Sequence, residues 1–88
     1  MNKYTFVTIF REGVHIHQAE GTDITEAMVN WAKIPDKKIK FIGHESQKEI
    51  ELAIEEEHPT PINGVDNVWF FMVRTRAGLL MVNVIQTI

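Results

Sequence analysis

Two histidines separated by one residue, His15 and His17, have the best spacing for chemistry in this 88-residue chain. Side chains alternate along a strand, so a strand here places both imidazoles on one face, as in some metal sites. A metal site needs a further ligand, and local spacing places none of Glu20, His44 and His58 beside the pair. We therefore expect no metal or other cofactor. The pair is predicted to be interfacial or solvent-facing, and an imidazole pKa of about 6.5 would make an interface containing it sensitive to mild acid.

Residues for covalent catalysis are scarce. The chain has no cysteine, and its single serine, Ser46, is followed three residues later by Glu49, a pattern that predicts a helix cap. The glycines occur singly, so there is no glycine-rich phosphate loop. Glu55 and Glu57 fall at the predicted end of a helix, where solvated carboxylates are typical. The sequence therefore predicts a protein that is not an enzyme.

Size and composition predict a single domain over residues 1–88. The hydrophobic content of 44% and the charged content of 24% are near globular averages. A net charge of -3 works against nucleic acid as the main partner, because affinity for nucleic acid comes largely from neutralised phosphates. The N-terminal residues resemble neither a signal peptide nor a membrane span. We expect a cytoplasmic protein with no membrane association.

Two β-hairpins are predicted from runs of β-branched and aromatic residues on either side of glycine-containing turns. The turns are Glu12-Gly13 and Ala77-Gly78. A two-residue loop at Glu12-Gly13 would place Phe10 opposite His15. The strands are predicted at residues 3–11, 14–20, 68–75 and 79–88.

Two helices are predicted between the hairpins. Asp23 with Glu26 forms a capping-box pattern at the start of the first helix, which Pro35 ends. The second helix is predicted at residues 47–57, and residues 37–42 form either a short strand or an extended connector. The expected fold is α+β in the order β-β-α-α-β-β, an antiparallel sheet of two hairpins with two helices packed on one face.

Large apolar side chains occupy both faces of the predicted strands, which is unusual for an antiparallel sheet with one face in water. Two short helices cannot cover both faces, and an exposed apolar patch of this size generally marks an interaction surface. We expect the chain to form a homodimer through its sheet. There are two alternatives: the loop at residues 58–67 covers the second face, or a different protein does. The predicted interface residues are Phe6, Phe10, His15, His17, Phe70, Met72, Arg74 and Met81.

Aromatic residues on a sheet face beside arginines also occur in proteins that bind single-stranded nucleic acid. Here the set would be Phe6, Phe10 and Phe70 with Arg74 and Arg76. The acidic balance of the chain and the absence of a recognition signature argue against this function.

Charge is distributed unevenly along the chain and suggests an alternative function. Lysines cluster between residues 33 and 40, whereas residues 45–57 contain six glutamates. A small acidic inhibitor of the antitoxin or immunity type could bind a toxin or nuclease through the glutamate-rich second helix and the loop at residues 58–67.

A set of residues spread over most of the chain carries a resemblance to known proteins: Tyr4-Thr5-Phe6, Phe10, Gly13, Ile16, Gln18, Glu26-Ala27, Trp31-Ala32, Pro59-Thr60-Pro61, Asn63-Gly64 and Asn67-Val68-Trp69-Phe70. Together they resemble a group of small uncharacterised bacterial proteins. It implies a compact bacterial cytoplasmic domain and supplies no catalytic residues. The opening strand, strand and helix are also similar to the partial ribonuclease-like fold of HicB-type antitoxins, although this chain lacks their Asp-Leu-Pro-Gly segment after the second strand.

Overall fold

A five-stranded antiparallel sheet with three helices is formed by residues 1–88 in the computed structural model. The elements are β1 (Asn2–Phe10), β2 (Gly13–Gly21), α1 (Ile24–Trp31), α2 (Pro35–Lys38), α3 (Gly43–Glu56), β3 (Thr60–Pro61), β4 (Val68–Thr75) and β5 (Gly78–Gln86). The sheet order is β2-β1-β5-β4-β3. None of the three helices has the length and apolar character of a membrane-spanning segment. The α+β prediction with two antiparallel hairpins is confirmed, and the structure adds one short helix and one short strand.

The turn of the first hairpin lies one residue earlier than the sequence predicts. Arg11 and Glu12 form the loop with φ of 50° and 65°, the two positive angles that match the twist of a two-residue hairpin. Phe10 therefore pairs with Gly13 and not with His15, so the predicted pairing is wrong. Because the pairing moves by two residues along β2, each side chain keeps the predicted face.

One face of the sheet, the inner face, packs against the helices and forms the core. Its residues include Tyr4, Phe6, Phe10, Phe71, Val73, Leu80, Val82 and Val84, all buried. The helices contribute Ala27, Met28 and Trp31 from α1 and Ile50 and Ile54 from α3.

Trp31 lies at the centre of this core. Its ring stacks on Phe6 with centroids 5.3 Å apart, and it meets Phe71 edge-on at 5.5 Å. Phe6 and Phe71 belong to β1 and β4, the strands on either side of β5. One side chain of α1 therefore contacts residues from both hairpins.

The cap predicted for the first helix is confirmed. The Asp23 carboxylate accepts a hydrogen bond from the Glu26 amide at 2.9 Å, and the Glu26 carboxylate accepts one from the Thr22 amide at 2.8 Å. The helix ends at Trp31, before Pro35, which instead begins α2. Proline is favoured at this first helical position because its missing N–H would have no partner there.

The segment between α1 and α3 is neither a strand nor an extended connector. It forms the single turn of α2, after which Ile39 and Ile42 enter the core, and α3 begins at Gly43, four residues before the predicted start. Periodicity did not reveal α2, because a four-residue helix is too short to show it.

The cap predicted at Ser46 is wrong. Ser46 lies inside α3 and is buried, and its hydroxyl accepts a hydrogen bond from the Ala77 amide at 3.1 Å. Glu49 accepts one from the Arg76 amide at 3.1 Å. Both side chains therefore fasten α3 to the turn of the second hairpin, a long-range role that helix-cap spacing cannot reveal.

We expect Trp31→Ala to lower the free energy of unfolding by about 3–5 kcal/mol, because it removes the ring shared by both hairpins and leaves a cavity. Urea denaturation at one protein concentration would measure the loss. The matched control is Val29→Ala on the same helix, where the side chain is 43% exposed and the expected change is within about 0.5 kcal/mol. Equal effects of the two variants would contradict the assigned core.

Candidate functional site

The face of the sheet opposite the helices is apolar and uncovered. The alternation of strand residues places it on the far side from the core, and Val14 and Ile16 there are each 62% exposed, with Met72 at 48%. We call this surface the open face. Its apolar residues are Val7, Ile9, Val14, Ile16, Val68, Phe70, Met72, Leu79, Met81 and Ile85.

The register aligns these residues in rows across four strands. One row runs Val14, Ile9, Met81, Met72 and contains no polar side chain. Cross-strand neighbours have Cβ atoms about 4.5–5.5 Å apart, so the row is a continuous apolar ridge.

A second row runs beside the first through Ile16, Val7, Asn83 and Phe70. Its one polar member, Asn83, carries no charge. The centre of the open face is therefore apolar and uncharged, whereas the water-facing side of an antiparallel sheet is ordinarily polar.

Polar groups surround this centre. Thr5 shares a hydrogen bond of 2.6 Å with Thr87 and accepts one of 3.1 Å from Gln18. The charged residues of the face lie at the strand ends. Lys3 lies opposite Glu20 in the strand register at one end, and Arg74 lies at the other. An apolar centre with a polar rim is the usual composition of a protein interface.

The predicted interface residues divide between the two faces. Phe70, Met72, Arg74 and Met81 lie on the open face. Phe6, Phe10, His15 and His17 lie on the inner face, where Phe6 and Phe10 are 0% and 2% exposed. The prediction that these aromatics form one exposed patch with Phe70, Met72 and Met81 is wrong.

The first hairpin contributes Val7, Ile9, Val14 and Ile16 to the open face instead. Sequence alternation groups these four residues on one face, so the signal was present. Alternation alone does not say which face the helices cover. The predicted interface therefore combined residues of the inner face with residues of the open face.

The loop at residues 58–67 does not cover the open face. Thr60 and Pro61 form β3, which pairs with Phe70 and Trp69 and extends the sheet sideways. Residues 63–67 are all exposed. The alternative in which this loop shields the second face is therefore wrong.

The aromatic and arginine set considered for single-stranded nucleic acid is not assembled. Phe6 and Phe10 are buried on the side opposite Phe70. Arg76 forms an ion pair of 2.6 Å with Glu45, and both side chains are largely exposed, so the pair stabilises the fold little. Of the two arginines, only Arg74 lies on the open face with Phe70, and Met72 separates them along β4.

His15 and His17 face Lys38 on the helix side of the sheet. The pKa of His17 is lowered by desolvation and further by the positive charges of His15 and Lys38. The Nδ1 atom of His17 is buried without a hydrogen-bond partner. No group of three or more His, Cys, Asp or Glu side chains is arranged to hold a metal ion.

Comparison with family models, with curated proteins and with solved structures finds no significant match. The resemblances to small bacterial proteins and to HicB-type antitoxins therefore remain predictions. The open face must be interpreted from its own geometry.

The lowered pKa of His17 makes stability depend on pH. The folded chain favours neutral His17, so the unfolded chain binds more protons as the pH falls through the ordinary value of 6.5. Acidification from pH 7.5 to 5.5 should lower the free energy of unfolding, and His17→Gln should reduce that loss. Urea denaturation at both pH values measures it.

The matched control for this prediction is His58→Gln, a change at an exposed histidine in the loop after α3. Between pH 7.5 and 5.5 this variant should lose as much free energy of unfolding as the unmodified protein. An equal loss in His17→Gln and the unmodified protein would contradict the role of His17.

Proposed function

We propose that this protein is a non-catalytic protein-interaction domain that forms a homodimer by packing its open face against the same face of a second copy. The observation that carries the proposal is the uncharged apolar centre of the open face, in particular the row Val14, Ile9, Met81 and Met72. Burial of apolar surface contributes about 25 cal/mol per Å², which favours covering this face and offsets the entropic cost of association.

The size of the face suits a stable dimer. Four strands spaced about 4.8 Å apart and about 30 Å long give a footprint of roughly 550 Å² before side-chain relief is included. A standard interface buries about 800 Å² of accessible surface per partner. Side chains that project from the strands add accessible surface to the flat footprint, so the accessible area of this face approaches that value. Two such sheets would stack about 10 Å apart, as in a β-sandwich.

A second copy is the favoured occupant because the centre of the face has no charge for a different partner to complement. In a two-fold interface the same patch lies on both subunits, so an uncharged patch matches itself. A centrally placed lysine or glutamate would meet its own copy near the two-fold axis and oppose association. Lys3, Glu20 and Arg74 lie outside the apolar rows, where charge is tolerated.

The test is the mass of the protein in solution by light scattering or sedimentation. The unmodified chain should be a dimer at about 50 µM, in the range expected for an interface of standard size. Met72→Glu and Ile16→Glu should each give a folded monomer, because dimerisation would bury an unpaired carboxylate while the monomer leaves it in water. Circular dichroism verifies the fold.

The matched control for these variants is Leu52→Glu, which places the same charge on α3 at a side chain that is 66% exposed and far from the open face. It should leave the dimer intact. A monomeric unmodified chain at about 100 µM, or dimers that survive both open-face variants, would overturn the proposal.

The dimer should also be insensitive to mild acid, contrary to the expectation that places the histidine pair in the interface. His15 and His17 lie on the inner face, so their protonation adds no charge to the open face. The mass should be the same at pH 7.5 and pH 5.5. Dissociation at the lower pH while the fold persists would place a titrating group in the interface.

The exposed acidic surface of α3 supports a second candidate function. Glu51, Glu55 and Glu56 are exposed and form no ion pair. A small acidic inhibitor of the antitoxin or immunity type would use this surface against a basic toxin or nuclease. A monomer whose open face tolerates charge would favour this candidate over the dimer.

A further inference from the structure

A concave site on the helix side of the molecule combines positive charge with an exposed aromatic ring. It lies between the turn of the first hairpin and the segment that joins α2 to α3, with a volume of about 530 Å³. This volume is within the usual range for small-molecule sites, about 300–1,000 Å³. We call it the basic cleft. Its lining residues are Phe10, Arg11, Gly13, His15, Lys38, Lys40 and Phe41.

Arg11 is held in place while its charge is left unneutralised. Its guanidinium carbon lies 5.4 Å from the ring centroid of Phe10 and 5.2 Å from that of Phe41. Its Nε donates a hydrogen bond of 3.0 Å to the Ala77 carbonyl. The terminal nitrogens make no hydrogen bond or ion pair, so an ordered pair of donors is available to an anion.

Phe41 is exposed at the cost of a strained backbone. Its φ is 71°, in the left-handed region that is unfavourable for a bulky residue. Ile39 and Ile42 on either side are buried, whereas the Phe41 side chain is 71% exposed. The core therefore anchors the segment but does not account for the outward ring, and such strain is concentrated at functional sites.

The remaining polar lining is basic. Lys38, Lys40 and His15 join Arg11, and no acidic side chain lines the cleft. The ion pairs of the protein all involve Arg76, so none neutralises Arg11, Lys38 or Lys40. Uncompensated cations converging on a concave surface attract anions.

We propose that the basic cleft binds a small ligand that carries both a phosphate group and a planar aromatic ring, such as a mononucleotide. Arg11, Lys38 and Lys40 bind the phosphate, and Phe41 stacks on the aromatic ring. A small ligand fits better than a polynucleotide, because the cations are confined to one cleft on a chain whose net charge is -3. This activity is separate from association through the open face.

The test is isothermal titration calorimetry with AMP at low salt. We expect AMP to bind with a Kd below about 1 mM, a modest affinity for a solvent-open site. Arg11→Met and Lys38→Met should each weaken AMP binding at least tenfold, and two variants guard against a folding defect in either one. Phe41→Leu should weaken binding of AMP but leave binding of inorganic phosphate unchanged.

The matched control is Lys33→Met, which removes the same charge from an exposed lysine outside the cleft and should leave AMP binding unchanged. Four results would overturn the proposal. They are no binding of AMP, equal affinity for AMP and inorganic phosphate, equal weakening by Lys33→Met, and an oligothymidylate that binds far more tightly than AMP with a steep salt dependence. The last result would identify a surface for single-stranded nucleic acid. None of the four depends on whether the protein is a dimer.

Discussion

The packing of all three helices on one side of the sheet is the constraint on which the other features of this protein depend. Trp31 contacts Phe6 of one hairpin and Phe71 of the other, so this one side chain of α1 packs against both halves of the sheet. An 88-residue chain has enough residues for one helical layer. The opposite face therefore has no covering from its own chain and retains an apolar surface.

The connection between α1 and α3 shows how the same core positions the basic cleft. Ile39 and Ile42 are buried, and they hold the intervening Phe41 at the surface. Gln47 reinforces the segment, since its side chain donates to the Ala32 carbonyl at 2.5 Å and accepts from the Asp36 amide at 2.9 Å. The position of the exposed ring is thus set by buried contacts on both sides.

The two proposed surfaces lie on different sides of the sheet. The open face consists of outward strand residues, whereas the basic cleft is formed by the inner-face residues Phe10 and His15, the first hairpin turn and the α2–α3 segment. Association through the open face would leave the cleft accessible in each subunit.

Much of the fold was predictable because local physics decides it. Period-two alternation in the strands, the Asp23 cap and the proline and glycine positions predicted two hairpins with helices between them and grouped the residues of each hairpin by face. Tertiary contacts decided the rest. Alternation is symmetric, so only the packing of α1 and α3 determined that Phe6 and Phe10 are core and that Val7, Ile9, Val14 and Ile16 join Met72 and Met81 outside. Likewise, Ser46 binds the amide of Ala77, a residue distant in the sequence. Phe41 is held at the surface because Ile39 and Ile42 are buried. Local sequence spacing encodes neither role.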